Sequence, residues 1–395
     1  GFGSSAAWRV QHIGQIVSLA MLALALCLLE RALLRPTLLR GALAGTAAGL
    51  MLIEPDQVAL LGSYVLAGLV LARLSESDRL LTALKASLPA LTTAAATTIL
   101  IVALPLTMTW LFATASNRPA IAFAEAVQGS LHPASLLTGV VADLFGAHDP
   151  AVDYWGPYSE HWDARELFLS QNMTVIYLGA LPALLITTLG IARGLLWRRE
   201  VRFYAIAGLL MVLYAIGRST PLFGLAFDWL PGVEAFRRPA DATFLIGALG
   251  AILSGYLVHA WASGMVPAAT RMSRVVGTGL LAVLLAAAVG VALACGQLGH
   301  AWRPIVAATL WLAAVSAPRV RRRATPTPAA CAVGWVRRVS CDPPPKPLRN
   351  TVLNPGPPPA RGTTFNALPS SVVMNPGMYA ASNSKHTHAS ASRNA

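Results

Sequence analysis

Arginine next to proline at the edge of an apolar run is the most chemically suggestive pattern in the sequence. Arg237 and Arg238 precede Pro239, Arg118 precedes Pro119, and Arg218 lies in Gly217-Arg-Ser-Thr-Pro221. A guanidinium is always charged and can hold two phosphate oxygens in a fork. Such arginines suit either phosphate binding or the anchoring of a loop among lipid head groups. Glu54, Asp56 and Gln57 fall at a break between two short apolar segments. A carboxylate beside lipid is costly, and broken helices expose backbone groups that can bind a ligand, so a substrate-binding or acceptor-base role stands beside that of a solvated turn. Tyr154 and Trp155 could stack on a sugar ring or anchor at an interface. Asp149, Asp153, Glu160, His161 and Asp163 offer oxygen and nitrogen ligands for a divalent metal. Their spacing fits no known ligand code, so no metal and no other cofactor is expected.

These residues are connectors between apolar runs. Of 395 residues, 55% are hydrophobic and only 12% charged, about half the charge of a soluble domain. A spanning helix needs about 20 apolar residues, and nine runs are candidates: 12–33, 37–53, 57–73, 88–112, 172–193, 201–217, 241–262, 274–295 and 303–317. The expected fold is all-α, a polytopic transmembrane bundle of about nine helices with an outer-face loop region.

The net charge of +13 does not indicate nucleic acid, because the basic residues fall in short clusters between apolar runs. Sixteen occupy one alternating set of connectors: Arg31, Arg35 and Arg40; Arg73, Arg79 and Lys85; Arg193, Arg198, Arg199 and Arg202; Arg271 and Arg274; Arg319, Arg321, Arg322 and Arg323. Seven occupy the other: Arg9, Arg118, Arg165, Arg218, Arg237, Arg238 and Arg303. Cytoplasmic loops are the richer in Lys and Arg. This places the C-terminus in the cytoplasm and the N-terminus outside, an arrangement that one further helix upstream of Gly1 would explain.

The expected outer side carries loops 113–171 and 218–240. The first is too long for a simple connection, and surface helices are expected over 121–130 and 163–170. Glu30 and Arg31 read as a snorkelling pair at the inner end of the first helix, and His259 as an interfacial histidine. Residues 1–323 form the expected membrane domain. Residues 324–395, with Pro343-Pro344-Pro345 and Pro357-Pro358-Pro359, read as a disordered Pro/Ser/Asn-rich tail. No CxxC, P-loop, GxSxG or HExxH occurs, so redox, ATP-driven, serine-hydrolase and zinc-protease chemistry have no motif.

Three stretches taken together resemble one bacterial family. They are Met51-Leu-Ile-Glu-Pro-Asp-Gln-Val-Ala-Leu-Leu60; the series Leu104-Pro105, Ser116-Asn-Arg118, Gly129-Ser-Leu-His-Pro133, Asp143-Leu-Phe-Gly146, Tyr154-Trp-Gly156 and Tyr177-Leu-Gly179; and Gly217-Arg-Ser-Thr-Pro-Leu222 with Leu230-Pro-Gly232 and Phe236-Arg-Arg-Pro239. Over about residues 10–262, order and spacing are similar to the YfhO-like membrane proteins of the GT-C glycosyltransferase superfamily. Glu54 and Asp56 stand where those relatives often have Gly-His. The resemblance implies a GT-C-like fold in the bacterial cytoplasmic membrane. It also implies a polyprenyl-phosphate-linked sugar as donor and a glycan or other cell-envelope acceptor at the outer face. The catalytic carboxylate of such enzymes follows the first helix, which puts it upstream of Gly1. A transporter or flippase of lipid-linked glycans and a non-catalytic scaffold are the alternatives. The first requires polar residues at mid-membrane, and the apolar runs hold few.

Overall fold

The computed structural model describes residues 12–115, 121–146, 154–159, 162 and 174–316. Arg118, Asp149, Asp153, Glu160, His161, Asp163, the run 163–170 and the tail 324–395 lie outside the described residues.

The described residues are helical and contain no strand. The helices are α1 (Ile13–Leu34), α2 (Leu38–Met51), α3 (Gln57–Ser75), α4 (Leu80–Ala115), α5 (Ala180–Leu185), α6 (Arg202–Ala215), α7 (Pro221–Trp229), α8 (Thr243–Ala262), α9 (Arg271–Ala294) and α10 (Leu298–Ser316). Each of the nine apolar runs coincides with a helix or contains one. Five segments are long and apolar enough to cross a membrane: α1, α3, α4, α9, and α8 with its leading turn, Pro239–Ala262. Helix α2 and helix α6, 14 residues each, are shorter than the usual span. Run 172–193 is helical only from Ala180, because Gly179 takes φ +117° and starts the helix afresh. The helix then widens to a π turn over Ile186–Ile191.

Local chemistry sets the starts. The Thr37 hydroxyl accepts from the Arg40 N–H at 3.3 Å, Asp56 Oδ1 from Ala59 N–H at 2.7 Å, and Thr270 from Ser273 N–H at 3.0 Å. Each satisfies a donor that a helix N-terminus leaves open. Helix α4 contains Pro89 and Pro105 and runs 36 residues, about 54 Å at 1.5 Å per residue. It buries only Ser87, Ala90 and Val102.

Helix α2 meets α4 along a ridge of three glycines one turn apart. A Cβ on Gly41 would fall on the Ala90 carbonyl, one on Gly45 on Thr97 and the Ala94 carbonyl, and one on Gly49 would come 2.9 Å from Ile101 Cβ. The close approach lets Thr98 Oγ1 donate to the Gly45 carbonyl at 3.0 Å and Thr97 Oγ1 to the Ala42 carbonyl at 3.4 Å. Small residues that bring backbones together are the usual basis of helix association in lipid, where no hydrophobic force drives it.

The bundle has two chemically distinct ends, and connectors grouped by their charge meet at the same end. At the basic end, the C-termini of α1 and α3 meet segments 193–202 and 263–270. Arg73 bonds Glu30 and Glu76, Arg202 reaches Glu76 at 3.4 Å, and Arg198 and Arg193 donate to the Met265 and Pro267 carbonyls. Glu30 is therefore engaged by Arg73, and by the Tyr204 hydroxyl at 3.0 Å. It does not simply snorkel beside Arg31 as the sequence suggested. At the opposite end, the Glu54 carboxylate lies over Gly14 of α1, and Leu131 N–H donates to the Ala215 carbonyl at 2.7 Å.

The long connector departs most from expectation. Residues 131–145 and 155 are not a solvated surface loop. Leu131, Val141, Leu144, Phe145 and Trp155 are buried, and most of them join a core with α9 and α10. Of the two surface helices expected in this connector, the first is one turn, Phe123–Ala126, followed by the 3-10 segments Val127–Gly129 and Pro133–Gly139.

Candidate functional site

The sequence scattered its candidate arginines over two connectors, and the fold gathers three of them around Gly129 and Ser130. Ser130 Oγ accepts the Arg218 N–H at 2.9 Å and donates to the Val127 carbonyl at 2.6 Å. A Cβ on Gly217 would fall on Ser130 Oγ. A Cβ on Gly129 would come 2.6 Å from the Arg237 carbonyl oxygen and 2.7 Å from Arg238 Cα. Only glycine lets the Val127–Leu131 segment thread this tightly between 215–218 and 237–238. The Tyr158 hydroxyl donates to the Ser130 carbonyl, and burial raises its phenol pKa, which keeps that proton in place. Tyr158 holds φ +76°, a left-handed backbone that is uncommon for an aromatic residue.

An open cleft of about 490 Å³ lies beside this knot. Phe123, Val127 and Gln128 form one wall; Arg218, Thr220 and Pro221 form the other. Arg218 and Arg238 are exposed. Arg237 is partly exposed and pairs through Nη1 with Glu125 Oε1 at 2.8 Å, on the same turn as Phe123. Its Nε is buried and has no hydrogen-bond partner.

The Glu54–Gln57 break forms a second polar cluster at the same end. Asp56 caps α3 through Oδ1, while its Oδ2 is buried without a partner. Burial pushes the Asp56 carboxyl up to about 6; the Ala59 N–H opposes the shift, and the Asp241 and Glu54 carboxylates add to it. Gln57 is buried and donates to the Tyr214 hydroxyl at 3.0 Å. Tyr214 packs edge-on against Phe223 at 5.2 Å, and Phe223 stacks on Phe123 at 5.9 Å. A continuous aromatic contact thus joins Gln57 to the cleft wall.

The two aromatic candidates are held by the protein. Trp155 is 1% exposed and lies edge-on to Phe145 at 4.9 Å, so its ring face is not available to a sugar. The Tyr154 hydroxyl bonds Thr174 Oγ1 at 3.0 Å, and burial pushes its pKa up to about 12. Among the described residues no group of three His, Cys, Asp or Glu is placed to hold a metal ion. His259 is half-buried near the C-terminus of α8.

Glu125, Ser130, Tyr214 and Asp241 belong to this end and were not singled out from the sequence. Asp241 had a visible signal, a carboxylate at the start of an apolar run just after Arg237-Arg238-Pro239, and it is 5% exposed. Ser130 stood only within the Gly129-Ser-Leu-His-Pro133 stretch, with nothing to mark its contact 88 residues away in sequence. Comparison with protein-family models, curated proteins and solved structures gave no match.

Proposed function

We propose that this chain is a multi-pass protein of the bacterial cytoplasmic membrane whose cleft end binds the phosphate of a polyprenyl-phosphate-linked sugar, for transfer of that sugar to a cell-envelope acceptor. In this reading all nine apolar helices cross or enter the bilayer in a GT-C-like arrangement, with the basic end in the cytoplasm and the cleft outside. The excess of arginine at the basic end supports that orientation.

One observation carries the binding reading. All seven buried side-chain atoms without a hydrogen-bond partner among the described residues are at the cleft end: on Gln15, Asp56, Ser135, Trp155, Ser159, Arg237 and Thr243. Buried polar groups are normally satisfied, and exceptions call for an explanation such as a ligand. They fall at the same end of the bundle as a cleft walled by Arg218. The resemblance to the YfhO-like proteins adds the donor class.

The chemistry would run as an inverting displacement. An acceptor hydroxyl oxygen bonds the anomeric carbon as the bond from that carbon to the phosphate oxygen breaks. The polyprenyl phosphate leaves with the electron pair. Arg218 and Arg237 stabilise its growing negative charge, and a carboxylate takes the hydroxyl proton. Among the described residues Asp56 is the candidate for that base, since a carboxyl titrating near 6 is suited to proton transfer near neutral pH.

The test is binding in lipid nanodiscs of polyprenyl phosphate against the polyprenol of equal length. The phosphate should bind at least tenfold more tightly. Arg218→Ala should remove about tenfold of that, roughly 1.4 kcal/mol. Equal binding of the two lipids would overturn the proposal. Movement of the lipid-linked sugar across the bilayer without sugar transfer would replace the enzyme by the flippase reading.

A further inference from the structure

The Arg237–Glu125 pair differs from the pairs at the basic end in the exposure of its acid. Glu125 is 41% exposed, whereas Glu30 and Glu76 are 21% and 14% exposed. Only one guanidinium nitrogen of Arg237 is engaged, at 2.8 Å, while its Nε is buried with no acceptor. A guanidinium offers five N–H donors, and a carboxylate or a phosphate oxygen can take the same fork. Exposed pairs of this kind are weak and exchange readily.

The surroundings decide which partner can move. The Arg237 backbone is trapped, because a Cβ on Gly129 would already come 2.6 Å from its carbonyl oxygen. Glu125 sits on a single four-residue turn, Phe123–Ala126. Phe123 and Ala124 on that turn, with Val127 and Gln128 after it, line the cleft. A shift of this turn therefore changes the cleft wall and releases Arg237 together.

We propose that Glu125 is a built-in stand-in for the ligand phosphate, holding the Arg237 guanidinium while the cleft is free and giving it up to a phosphate oxygen on binding. This rests on the reading of the cleft end as a phosphate site. It adds that Glu125 tunes affinity by competing with the phosphate for Arg237. Apparent affinity then falls by the fraction of molecules in which Arg237 is free to bind.

The experiment compares the full chain and its Glu125→Gln variant in nanodiscs, with polyprenyl phosphate and polyprenol as probes. Glutamine keeps the shape and removes the competing charge. Phosphate affinity should rise about three- to tenfold, and polyprenol binding should stay the same. In the double variant with Arg237→Ala the gain should vanish, because the two residues act through one contact. A purely structural pair predicts a lower melting temperature for Glu125→Gln with no gain in affinity. A wild type that prefers the phosphate, with no gain in Glu125→Gln, overturns the exchange alone. A wild type with no preference for the phosphate overturns the underlying site reading and the exchange with it.

Discussion

The two ends of the bundle use the same residue types to opposite effect. At the basic end every nitrogen of the Arg73 guanidinium has an acceptor. Nε and Nη2 bond Glu30, Nη1 bonds Glu76 at 3.0 Å, and the Arg199 and Glu200 carbonyls take the remaining contacts at 3.4 and 3.2 Å. The Tyr204 hydroxyl completes Glu30, and Arg199 and Arg202 complete Glu76. At the cleft end Arg237 spends one nitrogen on an exposed glutamate, and Asp56 spends one oxygen on a cap. A saturated, partly buried network of charge ties elements together, and the Arg73 guanidinium at its centre has no capacity left for a ligand. Unspent capacity lowers stability, and the proposed phosphate site would account for its being kept at this end.

This contrast is most sharply tested by breaking the saturated side. Arg73→Ala leaves Glu30 and Glu76 without their shared cation, and removing one partner of a buried pair costs about 3–5 kcal/mol. The pair is partly exposed, with side chains at 19% and 21%, so a loss of about 2–3 kcal/mol is expected. Thermal melting in detergent should show this as a large drop, with phosphate binding unchanged in the folded fraction. Loss of binding without loss of stability would erase the distinction between the ends.

Two tight glycines carry the same contrast at a smaller scale. Gly45→Ala places a methyl on the Ala94 carbonyl and Thr97, and so pries α2 from α4. Overpacking of this kind costs about 1–3 kcal/mol, and it should appear in the melting temperature alone. Gly129→Ala should instead push the Arg237–Arg238 backbone from its place and lower phosphate affinity about tenfold, roughly 1.4 kcal/mol. Gly255→Ala in α8, where a Cβ meets nothing within 4 Å, is the neutral control. A Gly129→Ala variant that binds normally would dissociate the cleft from the arginine knot.

Apolar content made the helices legible, because lipid demands long runs of it, and every run coincides with helical structure. The segregation of the charged connectors was legible too, since connectors rich and poor in Lys and Arg alternate along the chain. Two features were not. The burial of the block around Leu144 and Trp155 was hidden because its apolar residues form no run long enough to span; the backbone is satisfied by tight turns and by side chains, as in the Trp162 Nε1 bond to the Trp155 carbonyl at 2.7 Å. That satisfaction is what lets non-helical backbone be buried in such a bundle. The gathering of Arg218, Arg237 and Arg238 depends on Gly129 and Ser130, whose small size matters only once distant segments meet. Gly41, Gly45 and Gly49 did carry a readable signal, small residues at every fourth position.

The smallest predicted effect concerns Asp56, which belongs to the unspent side. Its carboxyl is raised from an ordinary 3.8 to about 6. A raised carboxyl pKa means that the fold holds this proton more tightly than the unfolded chain does. The group therefore costs nothing below about pH 4, and the fold loses stability as pH rises through 6. Asp56→Asn keeps the cap, since Asn and Asp are equivalent at that position, and removes the charge. Allowing for partial solvent screening, it should stabilise by about 1 kcal/mol near pH 8, with the gain fading toward about pH 4. The same variant should lose sugar transfer if Asp56 takes the acceptor proton. Melting curves at the two pH values separate these roles: a pH-dependent gain with transfer intact would make Asp56 a strained cap. A gain paired with lost transfer would show that the strain is retained for chemistry.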